Sequence, residues 1–205
     1  MPGGKTAQAT NGLPQAVTAT TNPTGLSVVL TYGGKSTPPC EVGTYAVSAV
    51  IRDANYMGSV SANQTISAIA GAVTFSQWET AINFTGSASA TPRGDGVANL
   101  LKYFYDIDPA TPMTQGDRAG LPTLGFDDTS TPGTTYMVLD YRQYEYAAGI
   151  SVNVQTSTDL QSWTTVSPPD IAKQVGSDQG DPIMEVGVKW NGGRSQFIRL
   201  SITQP

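Results

Sequence analysis

The sequence predicts a mostly β protein made of two antiparallel β-sandwich domains, the second with two short α-helices at its start. Three observations carry that expectation. Short alternating runs rich in Val, Ile, Thr and Tyr, bounded by Gly, Pro and Asn, recur over most of the chain. Two stretches, near 75–84 and 97–104, instead space their apolar residues as a helix does. Charged residues are only 13% of the 205, roughly half the usual share, and Ser and Thr take their place, which suits hydroxyl-faced strands. The length accommodates one large or two small domains. The strand sets divide it into 1–69 and 70–205, with the joint at Ala68–Val73.

In order along the first half, Ala16–Thr20 reads as a strand before the turn Asn22-Pro23-Thr24-Gly25. Leu26–Tyr32 alternates around β-branched residues, and Gly33-Gly34 is a hairpin signal. Pro38-Pro39 marks an edge or loop, because proline cannot donate to a ladder. Gly43–Ile51 is the clearest strand, with Tyr45, Val47, Ala49 and Ile51 on one face as core. Asp53-Ala54-Asn55-Tyr56 turns the chain, and Ser59–Ile69 is the last strand. The segments AVTATTNPTGLSVVLTYGGKSTPP, VGTYAVSAVI and DANYMGS followed by QTIS, together with Asn11-Gly12, resemble the MBG domain in order and spacing. MBG domains are immunoglobulin-like repeats of large bacterial surface proteins. Thr10 departs from the Tyr usual before the Asn/Asp-Gly turn. The resemblance implies a non-catalytic spacer or stalk.

The second half opens with FSQWETAINF, where Phe75, Trp78, Ala81 and Ile82 share a helical face. Ser76 and Glu79 have the spacing of a capping box. Thr91–Pro109 is turn chemistry running into a second helix. Gly94-Asp95-Gly96 makes the turn, and Asp95 is positioned as an N-cap. Val97, Leu100, Leu101 and Phe104 form the apolar face, and Asp108-Pro109 ends it. Thr111–Gly120 reads as a polar surface loop.

From Leu121 strands return. Met137, Leu139 and Tyr141 share a face, as do Ile150, Val152 and Val154, then Met184, Val186, Val188 and Trp190, then Ile198, Leu200 and Ile202. Ser157-Thr158-Asp159 and Asn191-Gly192-Gly193 are turns. The segments GDGVANLLKYFYDIDP, VNVQTSTDLQSW and FIRLSIT resemble a C-terminal module of large secreted proteins of environmental bacteria. That resemblance implies a location rather than an activity. Relatives of the first of these segments carry D-x-D-G-D-G-x-x-N-x-x-E, which is similar to the calcium loop of the EF-hand, with ligands at positions 1, 3, 5, 7, 9 and 12. Aligned on Gly96, this chain keeps Asp95, the Val97 carbonyl and Asn99 at 5, 7 and 9, but has Thr91, Arg93 and Lys102 at 1, 3 and 12. Two anionic positions hold cations, so no calcium is expected; Arg93 or Lys102 would pair with Asp95, Asp106 or Asp108 instead.

Composition narrows the function classes. There is no histidine, hence no Ser-His-Asp triad and none of the commonest metal ligand. Cys40 is the single cysteine, so no intrachain disulfide or zinc-thiolate cluster forms, and a buried, small-apolar role is expected for it. The net charge is −5 with no basic run, which argues against nucleic acid as a partner. No apolar run is long enough to span a membrane as a helix, so no membrane insertion is expected. Met1–Lys5 lacks the apolar centre of a signal peptide, and the chain reads as part of a larger parent.

The candidate ligand-binding residues are Arg142, Tyr144 and Tyr146, which alternate in YRQYEY and would share a strand face. Aromatic rings there would stack on sugars while Arg donates hydrogen bonds. The plainer alternative, that they cover the helices or cap the core, is favoured. Asp106/Asp108 and Asp127/Asp128 are expected to be solvated turn carboxylates, and Asp140 with Glu145 is a better pair for a two-carboxylate hydrolase, though still a structural one. Trp78, Trp163 and Trp190 are expected in the core. Arg93-Gly94-Asp95 is explained by the turn. No catalytic residue, metal ligand or cofactor is assigned. The expectation is a structural or adhesive, extracellular or surface-located bacterial segment, with a polysaccharide or cell-surface component as partner. The alternatives are a carbohydrate-binding appendage of a polysaccharide-degrading enzyme, or a two-carboxylate hydrolase.

Overall fold

The computed structural model describes residues 7–9, 13–68, 70–84, 86–193 and 196–204, with the side chains of 7–9 excepted. The chain divides into two compact units, Met1–Ile69 and Ala70–Pro205. It is mostly β, with antiparallel sheets, as the alternating pattern requires.

The first unit is one four-stranded sheet ordered β1-β4-β3-β2, from β1 (Ala7–Ala9), β2 (Val28–Tyr32), β3 (Gly43–Ile51) and β4 (Ser59–Ser67). β1 pairs parallel with β4; the other pairs are antiparallel. Register places Tyr32 opposite Val47 and Leu30 opposite Ala49, so the alternation of β2 and β3 builds one apolar face. Ala16–Thr20 is not a strand. The segment around it lies across that face: Gln64 Nε2 donates to Gln15 O at 2.8 Å and Val17 N to the Tyr32 hydroxyl at 3.0 Å. Leu13 and Gln15 are buried there beside Tyr32, Val47, Ala49 and Ile66. Gly33-Gly34, at φ +56° and +85°, reverses the chain only as far as Lys35, and β3 begins at Gly43. Cys40, expected to be buried, is half-buried.

The second unit begins with β5 (Val73–Thr74) and α1 (Phe75–Ala81). The cap of α1 is Thr74, not Ser76: Thr74 Oγ1 accepts Gln77 N, and Gln77 Oε1 accepts Thr74 N. The capping box therefore sits two residues upstream of the expected one. α2 (Asn99–Phe104) follows, and then α3 (Gln115–Ala119), which occupies the stretch expected to be loop. Thr114 and Asp117 form a second capping box, and that polar signature explains the extra turn of helix.

Two sheets complete the unit. One is β10-β9-β13, from β9 (Ser151–Ser157), β10 (Thr164–Val166) and β13 (Phe197–Thr203); the other is β11-β12-β7-β6, from β6 (Thr123–Asp127), β7 (Tyr136–Arg142), β11 (Ile171–Asp178) and β12 (Asp181–Lys189). β5 pairs with β8 (Ala147–Ala148). Met137, Leu139, Tyr141, Met184, Val186 and Val188 form the inner face of the second sheet and are buried with Val152 and Val154 of the first. Trp190 lies past the end of β12; it is 41% exposed and stacks edge-on against Phe126. It is therefore not the core residue that the alternation suggested. Trp163 is half-buried under the Arg199 guanidinium, 4.0 Å from the ring centre.

Candidate functional site

The three sequence-selected residues do not share a strand face, because β7 ends at Arg142. Past it, Tyr144 N donates to Phe104 O and Gln143 N to Pro182 O, and the chain turns away through Glu145 and Tyr146. Arg142 is 2% exposed. Its Nε and Nη2 donate to Tyr105 O at 3.1 and 3.0 Å, its Nη2 also reaches Asp106 O at 3.2 Å, and Nη1 pairs with Asp178 Oδ2 at 3.1 Å. These carbonyls belong to the end of α2, where backbone acceptors have no helical partner and a cation is favoured. Arg142 is thus a structural cation, and its donors are taken.

Tyr144 and Tyr146 form the outer end of an aromatic chain. Phe75, Trp78 and Tyr103 pack at ring distances of 5.6–5.8 Å. Tyr103 meets Tyr144 at 6.1 Å, and Tyr144 meets Tyr146 at 5.7 Å. On the inner side Phe104 meets Tyr141 at 5.7 Å. The Tyr103 hydroxyl lies between Val73 O and Ala148 O and accepts Ala148 N at 2.7 Å; burial pushes its pKa up to about 12. Tyr144 is half-buried and Tyr146 is 38% exposed. Burial, then Asp106 and Asp181, raise the Tyr144 pKa.

A separate cleft of 470 Å³ lies between α3 and the open face of the second sheet, lined by Gly120, Thr123, Asp140, Arg142, Asp178 and Gln179 among others. The carboxylate beside Asp140 is Glu185, its register partner across β7 and β12, and not Glu145, which is exposed in the turn. Burial and then Glu185 raise the Asp140 pKa. Lys173 pairs with Glu185 at 2.9 Å and with Asp127 at 3.1 Å. Asp127 is buried, not solvated as expected. It accepts Thr129 N, Ser130 N and both hydroxyls, and these hydrogen bonds, Ser130 foremost, hold its pKa well below the usual carboxylate range. Local sequence could show the Asp-x-Thr-Ser turn. It could not show Asp140 facing Glu185, which needs the strand register.

Among the described residues no group of three or more His, Cys, Asp or Glu side chains is placed to hold a metal. Among the described residues no helix is long and apolar enough to cross a membrane. Residues 4–70 match the family model of the MBG domain, so the first unit is similar to that structural, adhesion-type domain. No curated protein matches the chain.

Proposed function

We propose that the chain is a non-catalytic structural and adhesive segment of a secreted or surface-anchored bacterial multidomain protein. The first unit acts as a spacer and the second as a terminal module. The match of 4–70 to the MBG domain carries this reading, since MBG domains occur in extracellular bacterial proteins. The charge wiring of the second unit supports it: Arg142, Lys102 and Asp127 are spent on internal bonds. A glycan array and a reducing-sugar release assay on polysaccharides test it. No release is expected, and any retention should survive Tyr144→Ala and Tyr146→Ala.

A second reading, a carbohydrate-binding appendage, is favoured by one observation: half-buried Tyr144 and Tyr146, 38% exposed, form a ring pair at the surface. Sugar rings would then stack on this pair, without the hydrogen bonds first expected from Arg142. Retention of one polysaccharide, lost in Tyr144→Ala and Tyr146→Ala, would replace the structural reading with this one. Release of reducing ends, lost in Asp140→Asn, would replace both with a hydrolase.

A further inference from the structure

The 91–102 loop has the spacing of a calcium loop, so its residues can be tested against that ion. Gly94 and Gly96, at φ +63° and +80°, keep the tight turn. Asp95, the one carboxylate retained, is already engaged: Oδ1 accepts Val97 N at 3.1 Å, and Oδ2 holds Lys102 Nζ at 2.6 Å. The Lys102 side chain is 0% exposed and that of Asp95 8%. Arg93, at the third position, donates through Nε to Pro109 O at 3.4 Å and through Nη2 to Ala110 O. Asn99, at the ninth, sends Nδ2 to Ser87 O at 2.9 Å; its Oδ1 is buried without a hydrogen-bond partner among the described residues. Thr91 gives its carbonyl to Gly94 N. Calcium takes about six to eight oxygens. One ammonium-bound carboxylate, one backbone carbonyl and one neutral amide oxygen, between two cations, do not fit it.

We infer that Lys102 is an internal cation standing where a divalent ion would bind, so that the loop and the start of α2 close without metal. The two elements it joins are the turn and the helix face that the turn presents. α2 starts after Ala98 with no side-chain cap; Asn99 N and Leu100 N go to Ala90 O and Ala88 O, and in the turn before it Asp95 Oδ1 holds Val97 N. Asp95 can hold that place while buried only if its charge is compensated. Lys102 sits seven residues on, on the buried side of α2 with Tyr103 and Asn99, and brings the compensating charge with the chain. Its hydrogen bond is the leading cause of the lowered Asp95 pKa. An ion held by the chain cannot be removed by a chelator or by dilution, so the second unit keeps this loop in calcium-poor surroundings.

The test uses the full chain. Calorimetric titration with calcium should show no saturable heat, and the melting curve should be the same in calcium and in EDTA. Lys102→Met should lower the melting temperature of the second unit, and calcium should not restore it. Asp95→Asn combined with Lys102→Met should cost less than the two single changes added together, because the pair is lost once. A saturable calcium-dependent rise in melting temperature of the unchanged protein would overturn the inference, and this measurement needs no variant to fold. Melting of Lys102→Met at the unchanged temperature would overturn it equally.

Discussion

Met1–Ile69 and Ala70–Pro205 are both built from antiparallel strands, but they bury different chemistry. Among the described residues of the first unit, Lys35, Glu41, Arg52 and Asp53 are all exposed, and the buried polar groups are the amides of Gln15 and Gln64. The second unit buries Lys102, Asp127, Arg142 and Asp181. The reason lies in the connections. A sheet covered by a neighbouring segment satisfies its backbone by ladders and a few amide bonds. Short helices leave unpaired carbonyls at their ends, and when those ends are buried the partner must come from elsewhere. Arg142 serves the end of α2, and Lys102 serves the turn before it. The buried cations follow the helix, while Asp127 and Asp181 hold the turns beside their strands through Thr129 N, Ser130 N and Glu145 N.

Arg142→Met should show the contrast most strongly. It removes four donor contacts and leaves the Tyr105 and Asp106 carbonyls at the end of α2 without their donor, at about 1–3 kcal/mol each, while Asp178, 45% exposed, is left to water. The expected result is a fall of roughly 10 °C or more in the melting of the second unit, with the first unmoved. Arg52→Met, on an exposed residue of the first unit, should change nothing. If both units fell together in Arg142→Met, they would unfold as one, and limited proteolysis would then give no stable fragment from Phe75 onward.

Gly187→Ala probes packing in the second unit. A Cβ there would lie 2.6 Å from Val138 Cγ1 and 3.0 Å from Met137 O, in the middle of the β7–β12 pair. Overpacking of this kind costs about 1–3 kcal/mol, read as a lower denaturant midpoint. Ile66→Val is the counterpart in the first unit, where Ile66 is 1% exposed on β4. It should cost about 1 kcal/mol in the first transition alone.

The smallest expected effect is on pH dependence. The Asp140 pKa is raised in the folded state, so its contribution is present at low pH and lost as pH rises through that folded pKa. Asp140→Asn should therefore raise stability slightly at neutral pH and flatten the profile above the ordinary carboxylate range. Asp127 and Asp95 are lowered, so their contributions are present above the unfolded pKa and vanish on acidification. Asp127→Asn should remove part of the acid sensitivity of the second unit. Melting curves across pH, followed for each unit, check both signs. Equal pH slopes in the two units would break the contrast between them.

Features that depend on near neighbours were legible in the chain. Alternation in GTYAVSAVI set β3 and its inward face, the glycines around Asp95 set a turn, and the charges in 91–102 implied a cation pairing with Asp95. Helix existence was legible too, although the cap of α1 fell two residues early and α3 was hidden in polar sequence. The edge strand β11, with few buried positions, carried too weak an alternation to be seen. Which side chains meet across strands and helix ends depends on the folded arrangement. YRQYEY reads as a continued strand, yet the chain leaves the sheet at Arg142 because Gln143 N and Tyr144 N bond to Pro182 O and Phe104 O, groups far away in sequence. Asp140 faces Glu185, Arg142 caps α2, and Trp190 stays outside, each fixed by register or by the place where a ladder stops. Periodicity states which way a residue points within its own element; burial depends on what the rest of the chain brings to that side.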